Sequence, residues 1–304
     1  MSASGVAVSL NPSAPSEQQL QLFYNTKTHN LGVQLRNELN AGDEKAIYAA
    51  GDDAQAGIIL NPGQVAATSV TGLDIVVGFT KKAAPPTTGD GCHCDPPNQN
   101  DVSIISPIYQ PLAATEPNNL TIAATSSGRT SWVFFLTGKD KFDTTINEVF
   151  LGDDAPGNYS ETTRILPGSS LAAYYAGAED KRYIIYQSDG TKRLWEYSPN
   201  PVHVSNEELD NSGDAKPNTS LAVTYTDADR KAYLYYVDNS DQLRVMVKSN
   251  GNWGASAPVP HAASPVEPGT QITVVAAPNG NHVFYVGKGQ AAKFQFHHII
   301  DPRS

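Results

Sequence analysis

Six copies of one hairpin pattern run through the chain, and this repetition limits the fold more than any other feature. One copy reads Ser170-Leu-Ala-Ala-Tyr-Tyr175, followed by a tyrosine-rich segment over 181–187, a Ser-Asp-Gly turn and a third segment over 192–197. The next copy has the same order at 220–225, 231–237 and 242–248. Alternating apolar residues bounded by Asp, Gly, Asn and Ser predict antiparallel strands joined by tight turns.

The copies begin near residues 5, 65, 120, 170, 220 and 272, so a copy averages about 51 residues, the length of a propeller blade. A small sheet with two apolar faces cannot bury both alone, whereas radial stacking buries them against neighbouring sheets. We therefore predict an all-β, six-bladed β-propeller with antiparallel blades of about 50 residues, formed by residues 1–304 as a single domain. Two packed β-sandwiches are the alternative, but they would not require one pattern repeated six times.

Charge and hydropathy exclude several partners. Asp and Glu number 31 against 21 Lys and Arg, so no basic stripe is available for nucleic acid. No stretch approaches the ~18 apolar residues of a membrane span. The sequence leaves the oligomeric state open, a homodimer included. It begins without the basic and apolar regions of a secretion signal, and its three Asn-x-Ser/Thr triplets are a weak signal. We nevertheless expect a protein of the secretory pathway whose signal is absent from this sequence.

Two long insertions are predicted to be loops, over 80–101 and 198–218. The first carries Cys92 and Cys94, the two cysteines of the chain, on either side of His93. These residues could close a local disulfide or bind a soft metal. The disulfide is the favoured interpretation because no further Cys or His follows at zinc spacing, and we expect neither a metal nor another cofactor.

The repeats read Ser-Leu-Ala-Ala, then a tyrosine-rich strand ending at Gln187, then Arg-Leu-Trp-Glu-Tyr. This sequence pattern resembles that of the fungal fucose-specific lectins. The resemblance implies a six-bladed propeller with sugar pockets between blades. Each pocket of that family uses an Arg of the second strand, a Glu or Gln of the third strand and aromatic side chains. The Glu position falls on Glu148 and Glu196, whereas the Arg position falls on non-arginine residues, namely Tyr183, Tyr233 and Val283. Arg182 adjoins this position but should point to the opposite face of its strand, so we expect degenerate sugar sites.

A looser resemblance links the chain to the fungal hetero-Diels–Alderases of tropolonic sesquiterpene pathways. It implies binding of a small conjugated natural product and its addition, as an o-quinone methide, to a terpene. No motif of a known enzyme class is present, and such an addition needs only a dry pocket with a well-placed hydrogen-bond donor. Whether the chain is an enzyme therefore stays open. A fucose- or glycan-binding lectin is the alternative, and an inert interaction scaffold is a third.

Aromatic residues with polar tips cluster in consecutive copies and supply the candidate site. Lys248, Tyr225 or His297 would polarise a substrate oxygen or act near neutral pH. The predicted substrate-binding residues are Tyr175, Trp195, Glu196, Tyr197, Trp253 and His203. The alternative for each aromatic residue is packing between blades. His297 and His298 are strand neighbours and should face opposite sides, so they cannot form a simple metal pair.

Overall fold

The computed structural model describes residues 5–37, 57–82, 99–140, 142–151, 157–159, 164–199, 204–262, 264–293 and 295–303. Their strands form six antiparallel sheets, and each sheet is built from strands consecutive in the chain. This arrangement confirms the predicted all-β, six-bladed propeller.

The first three blades occupy the N-terminal half. Blade 1 consists of β1 (Val6–Leu10), β2 (Leu20–Asn25) and β3 (Leu31–Arg36). Blade 2 consists of β4 (Val65–Val70), β5 (Leu73–Lys81), β6 (Asn100–Ser106) and β7 (Gln110–Thr115). Blade 3 consists of β8 (Ile122–Ser126), β9 (Ser131–Thr137), β10 (Thr145–Leu151) and β11 (Gly157–Tyr159).

The other three blades follow in the same order. Blade 4 consists of β12 (Ala172–Ala176), β13 (Lys181–Gln187), β14 (Leu194–Ser198) and β15 (Ser205–Glu208). Blade 5 consists of β16 (Leu221–Thr226), β17 (Lys231–Val237), β18 (Leu243–Ser249) and the short strands β19 (Asn252–Trp253) and β20 (Ala257–Pro258). Blade 6 consists of β21 (Thr273–Ala277), β22 (Gly280–Tyr285) and β23 (His297–Asp301). Within the described ranges, four single-turn 3₁₀ helices lie between strands, at Ser16–Gln18, Gly177–Glu179, Asp210–Ser212 and Ala291–Lys293.

The first strand of each blade lies at the axis, and side chains close the ring. Each inner strand contacts the next, and β21 of blade 6 contacts β1 of blade 1. Gln271, just before β21, accepts hydrogen bonds from the backbone N–H groups of Val6 (2.9 Å) and Val65 (3.2 Å). The N–H of Val8 donates to Thr273 Oγ1 at 3.0 Å. Among the described residues, blade 6 is therefore joined to blade 1 by side chains and not by a shared strand.

The residue types suit their distance from the axis. Inner strands are rich in Ala and Val because they crowd around the channel, whose middle is a space of only about 80 Å³. Second strands carry the large side chains that fill the wider gaps between blades, and five tyrosines are fully buried: Tyr186, Tyr233, Tyr235, Tyr236 and Tyr285.

A repeated turn leads into the inner strands and shapes one end of the channel. Gly168, Asn218 and Gly269 each follow a proline and adopt positive φ of 77°, 57° and 76°. Glycine and asparagine tolerate this left-handed conformation best. These turns border a cavity of about 430 Å³ at the channel end where the inner strands begin.

Both predicted loops overlap with strands, and the two ends of 80–101 belong to β5 and β6. Within 198–218, residues 205–208 form the outer strand β15, because they pair with β14 from Trp195 to Ser198. His203, Cys92, His93 and Cys94 lie outside the described residues. In the described ranges, no helix is long and apolar enough to cross a membrane. The same ranges contain no group of three or more His, Cys, Asp or Glu side chains arranged to hold a metal ion.

Candidate functional site

The strand register identifies the positions of the lectin clamp in each of blades 3 to 6. Glu148 and Glu196 pair across with Phe134 and Ile185, and the expected Arg position lies two residues earlier on the same second strand. The equivalent third-strand residues are Val245 in blade 5 and His298 in blade 6. The Arg positions of blades 3 to 6 are Trp132, Tyr183, Tyr233 and His282. The assignment of Val283 from the sequence was therefore wrong by one residue, because Phe284 is the residue that pairs with His298.

Between blades 4 and 5, in what we call groove 4/5, Glu196 is the centre of a buried polar cluster. Its carboxylate is 4% exposed and accepts hydrogen bonds from Lys248 Nζ (2.5 Å) and Tyr174 Oη (2.6 Å). Trp253 Nε1 also donates to it, at 3.2 Å. The ammonium of Lys248 lies 4.2 Å from the centroid of the Tyr183 ring, a cation–π contact.

Aromatic stacking completes this cluster. The Tyr174 ring stacks on Tyr183 at 4.9 Å and on Tyr225 at 5.7 Å. Burial and the carboxylate of Glu196 raise the pKa of Tyr174 well above its ordinary value, so the phenol stays protonated and acts as a donor. The structure thus brings together four of the predicted site residues, Lys248, Tyr225, Glu196 and Trp253. In this groove, the ammonium of Lys248 and the carboxylate of Glu196 are already paired with each other.

Groove 3/4, between blades 3 and 4, contains a second carboxylate–cation pair. Arg182 donates from Nε (2.6 Å) and Nη2 (3.0 Å) to the two oxygens of Glu148. The guanidinium lies 5.2 Å from the Trp132 ring, and Tyr175 stacks on the same indole at 5.5 Å. Arg182 does face away from Glu196, as predicted. The sequence analysis compared positions within one blade only. It therefore missed that Arg182, in this orientation, reaches the Glu position of the preceding blade.

The remaining predicted aromatic residues also lie in groove 3/4. Tyr197 and Trp195 pack in the cluster around Phe134 and Tyr186. The indole N–H of Trp195 is buried and has no hydrogen-bond partner among the described residues. A buried donor without a partner costs about 1–3 kcal/mol, so this atom is a local cost of packing Trp195 between the blades.

In groove 6/1, between blades 6 and 1, two histidines occupy the positions of the lectin clamp. His282 Nδ1 lies 2.8 Å from His298 Nε2, and His282 Nε2 lies 2.8 Å from the side-chain oxygen of Asn279. That oxygen can only accept, so His282 carries its proton on Nε2 and His298 donates from Nε2. The His298 ring also stacks on Phe284 at 4.3 Å. Burial lowers the pKa of His282 to about 4, and burial with the charge of Arg36 lowers that of His298 to about 3.

His297 lies on the opposite face of β23 from His298, against blade 5. Its ring stacks on Tyr285 at 5.1 Å. In this groove, Tyr235 donates to Asp301 at 2.6 Å and accepts from Asn281 at 2.9 Å. Burial raises the pKa of Asp301. His297 is therefore separated from Lys248 and Tyr225, the other two residues predicted to be catalytic, by the width of blade 5.

The end of the channel where the inner strands finish, which we call the tyrosine mouth, is a cavity of about 310 Å³. Tyr174, Tyr175 and Tyr225 line one side, Asp74 lines the other, and serines and threonines lie between them. This volume is within the range of small-molecule pockets. The interblade grooves and the tyrosine mouth are therefore the places where a ligand can meet several polar groups at once.

Comparison with known proteins supports the propeller fold. No family model matches the chain. It is 28% identical over 320 residues to proteins named wall-associated proteinase from Coccidioides posadasii and Coccidioides immitis, covering 98% of this chain and 96% of theirs. Among solved structures, it resembles a mutant of Aleuria aurantia lectin in complex with alpha-methyl-L-fucoside, with a TM-score of 0.66, 14% identity and coverage of 99% and 96%.

Other structures give the same result. AofleA from Arthrobotrys oligospora matches with a TM-score of 0.62, 11% identity and coverage of 99% and 88%. The BP39L lectin from Burkholderia pseudomallei matches with a TM-score of 0.62, 17% identity and coverage of 94% and 79%. At these identities, the similarity shows the fold alone, a six-bladed β-propeller.

Proposed function

We propose that this protein is a lectin-type, glycan-binding propeller and that groove 3/4 is its sugar site. The observation that carries the proposal is the bidentate pair of Arg182 and Glu148 beside the indole of Trp132. A guanidinium and a carboxylate hold sugar hydroxyls through charge-assisted hydrogen bonds, and an aromatic ring packs on the apolar face of the sugar. Lectins of the same fold that bind fucosides support this choice.

Groove 4/5 is a weaker sugar site because its ion pair is less exposed and has more partners. Glu196 receives three hydrogen bonds from within the protein, and Lys248 is only 12% exposed. In groove 3/4, Arg182 and Glu148 also bind each other and Glu148 is 8% exposed, but the Arg182 side chain is 22% exposed. A sugar hydroxyl can therefore approach the guanidinium beside the Trp132 ring.

Calorimetry against fucose, galactose and sialylated glycans tests this proposal. We expect one of these sugars to bind, and Glu148→Gln to weaken binding at least about tenfold, since a hydrogen bond to a charged group contributes ~1.5–3 kcal/mol. Asp210→Asn is the matched control, because it removes an exposed carboxylate that is 88% accessible and lies outside the groove. Silence across the whole panel at millimolar concentration, or equal losses in both variants, would contradict the proposal.

The name of the Coccidioides relatives raises proteolysis as another activity. A serine-proteinase triad requires a histidine hydrogen-bonded to a carboxylate. Across the described ranges, no histidine makes such a bond: His29 bonds a backbone carbonyl, and His282 bonds His298 and Asn279. We therefore base the proposal on sugar binding.

The tyrosine mouth supports a second candidate function, the binding and cyclisation of a conjugated natural product. Tyr175 and Tyr225 offer rings to a flat substrate, and the Tyr225 hydroxyl makes no hydrogen bond with a described residue. Lys248 is committed to Glu196, so Tyr225 is the donor that remains for a substrate oxygen.

A cycloaddition assay tests this second candidate. We expect the purified protein to accelerate adduct formation from an o-quinone methide and a terpene diene, and Tyr225→Phe to reduce the rate about tenfold or more, as for loss of a donor to developing charge. The candidate is discarded if the protein changes neither the rate nor the stereochemistry of the adduct.

A further inference from the structure

The tyrosine mouth has an uneven charge distribution that the proposed glycan site in groove 3/4 does not use. Every blade contributes the end of its inner strand to the lining, and hydroxyl groups dominate it. Asp74 is the only charged residue among the described residues that line it, so these residues present one carboxylate to a ligand.

Asp74 has no cationic partner among the described residues, and its polar neighbour in the cavity is the Ser9 hydroxyl. Burial raises the pKa of Asp74, and a hydrogen bond from Ser9 offsets only part of this effect. Ser9 is 8% exposed and lines the same cavity, and its Oγ makes no short hydrogen bond, so its contact with Asp74 is long. A half-buried carboxylate without a counter-ion, held by one long hydrogen bond, is costly to leave in this state.

The opposite side of the mouth is also electronegative. Tyr175 donates to Asp180 at 2.5 Å, and this bond and the charge of Asp227 contribute to raising the pKa of Tyr175 to about 12. Burial, followed by the charges of Asp227 and Glu179, raises the pKa of Tyr225, against the smaller opposing effect of Arg230. Tyrosine ring faces attract cations. Both sides of the cavity therefore favour a positively charged group.

We propose that the tyrosine mouth binds a small ligand through a primary ammonium group, with Asp74 as its counter-ion. The ammonium has three N–H donors, which match the Asp74 carboxylate and the Ser9 hydroxyl, and the tyrosines on the opposite side contact the body of the ligand. This site is separate from groove 3/4, and its selectivity is for charge and not for a particular sugar.

Three sugars of nearly the same shape test the inference. D-glucosamine carries an ammonium where D-glucose carries a hydroxyl and N-acetyl-D-glucosamine carries a neutral amide. We expect glucosamine to bind at least about tenfold more tightly than the other two at neutral pH, as for a charge-assisted hydrogen bond. Asp74→Asn should abolish this preference. Asp189→Asn, which removes a carboxylate paired with Lys192 on a surface turn, should retain it.

The outcomes separate this inference from the proposed glycan site. A preference for glucosamine that persists in Glu148→Gln and disappears in Asp74→Asn supports a distinct ammonium site, even if the neutral glycans fail to bind. Equal affinity for the three sugars, no binding of glucosamine, or a preference retained in Asp74→Asn overturns it. Thermal unfolding of Asp74→Asn checks that the variant is folded. In the parent protein n-propylammonium should compete with glucosamine, and in Asp74→Asn this competition should be lost.

Discussion

Acidification from pH 7 to pH 5 is expected to lower the free energy of unfolding by about 2–4 kcal/mol through the histidine pair of groove 6/1. His282 is fully buried, and the facing nitrogens of His282 and His298 share a single proton. Protonation of either ring would place a positive charge in an apolar site near Arg36. The native state therefore resists protonation.

The direction of the pH effect follows from the pKa values. In the unfolded chain both histidines protonate near pH 6.5, whereas in the native state the pKa values are about 4 for His282 and about 3 for His298. Between these limits the unfolded state binds more protons, so stability is complete above about pH 6.5 and is lost as the pH falls through the native values. Each histidine can contribute up to about 1.4 kcal/mol per pH unit.

The charged groups around the pair do not reverse this effect. Arg36 of blade 1 and Arg303 disfavour protonation of the pair. Elsewhere in the protein, Asp74, Asp101 and Asp301 have raised pKa values, so they oppose acid unfolding. They are the same in every variant compared, so they do not change the difference between variants.

Urea denaturation at several pH values checks the prediction. His298→Phe should reduce the slope of unfolding free energy against pH between about 4 and 6.5, because one of the two perturbed groups is gone. Phenylalanine can keep the stacking on Phe284. The control is His261→Asn, at an exposed position with a φ of 64° that asparagine tolerates. An identical slope in His298→Phe and the parent protein would refute the assignment.

The ring of blades was predictable because it depends on local patterns. Short alternating segments bounded by turn residues define each hairpin, and six similar copies leave few ways to bury two apolar faces. The clustering of Glu196, Lys248, Tyr225 and Trp253 was predictable because they lie in consecutive copies, whose blades stack on each other. The outer strand at 205–208 was not, because its polar sequence lacks the alternation of a half-buried strand.

The contacts across grooves depend on register and on the next blade, which a single repeat does not reveal. A shift of one residue moves a side chain to the opposite face, and this is why Val283 was assigned in place of His282. The pairing of Glu148 with Arg182 was missed for the same reason. Arg182 belongs to the following blade, and it lies next to Tyr183, the expected Arg position of that blade. In groove 4/5 the cation comes from the third strand instead, at Lys248.

Lys248→Met is expected to lower the free energy of unfolding by about 2–4 kcal/mol at pH 7, the second large effect. The ion pair with Glu196 is almost completely buried, with side-chain exposures of 12% and 5%. Removing one member of a buried pair leaves the other as an uncompensated charge, which costs about 3–5 kcal/mol in the interior. Tyr174 and Trp253 still donate to the carboxylate, so the loss should fall at the lower end.

A double-mutant cycle distinguishes this charge effect from lost packing. If the cost comes from the stranded carboxylate, Lys248→Met combined with Glu196→Gln should be at least about 1 kcal/mol more stable than the sum of the single losses predicts. Lys192→Met provides the control, because its pair with Asp189 is exposed and should contribute less than about 1 kcal/mol. Additive losses in the cycle would mean that the aromatic contacts of Lys248, and not its charge, stabilise groove 4/5. Since methionine keeps most of the aliphatic stem, the comparison isolates the ammonium that pairs with Glu196 and lies over the Tyr183 ring.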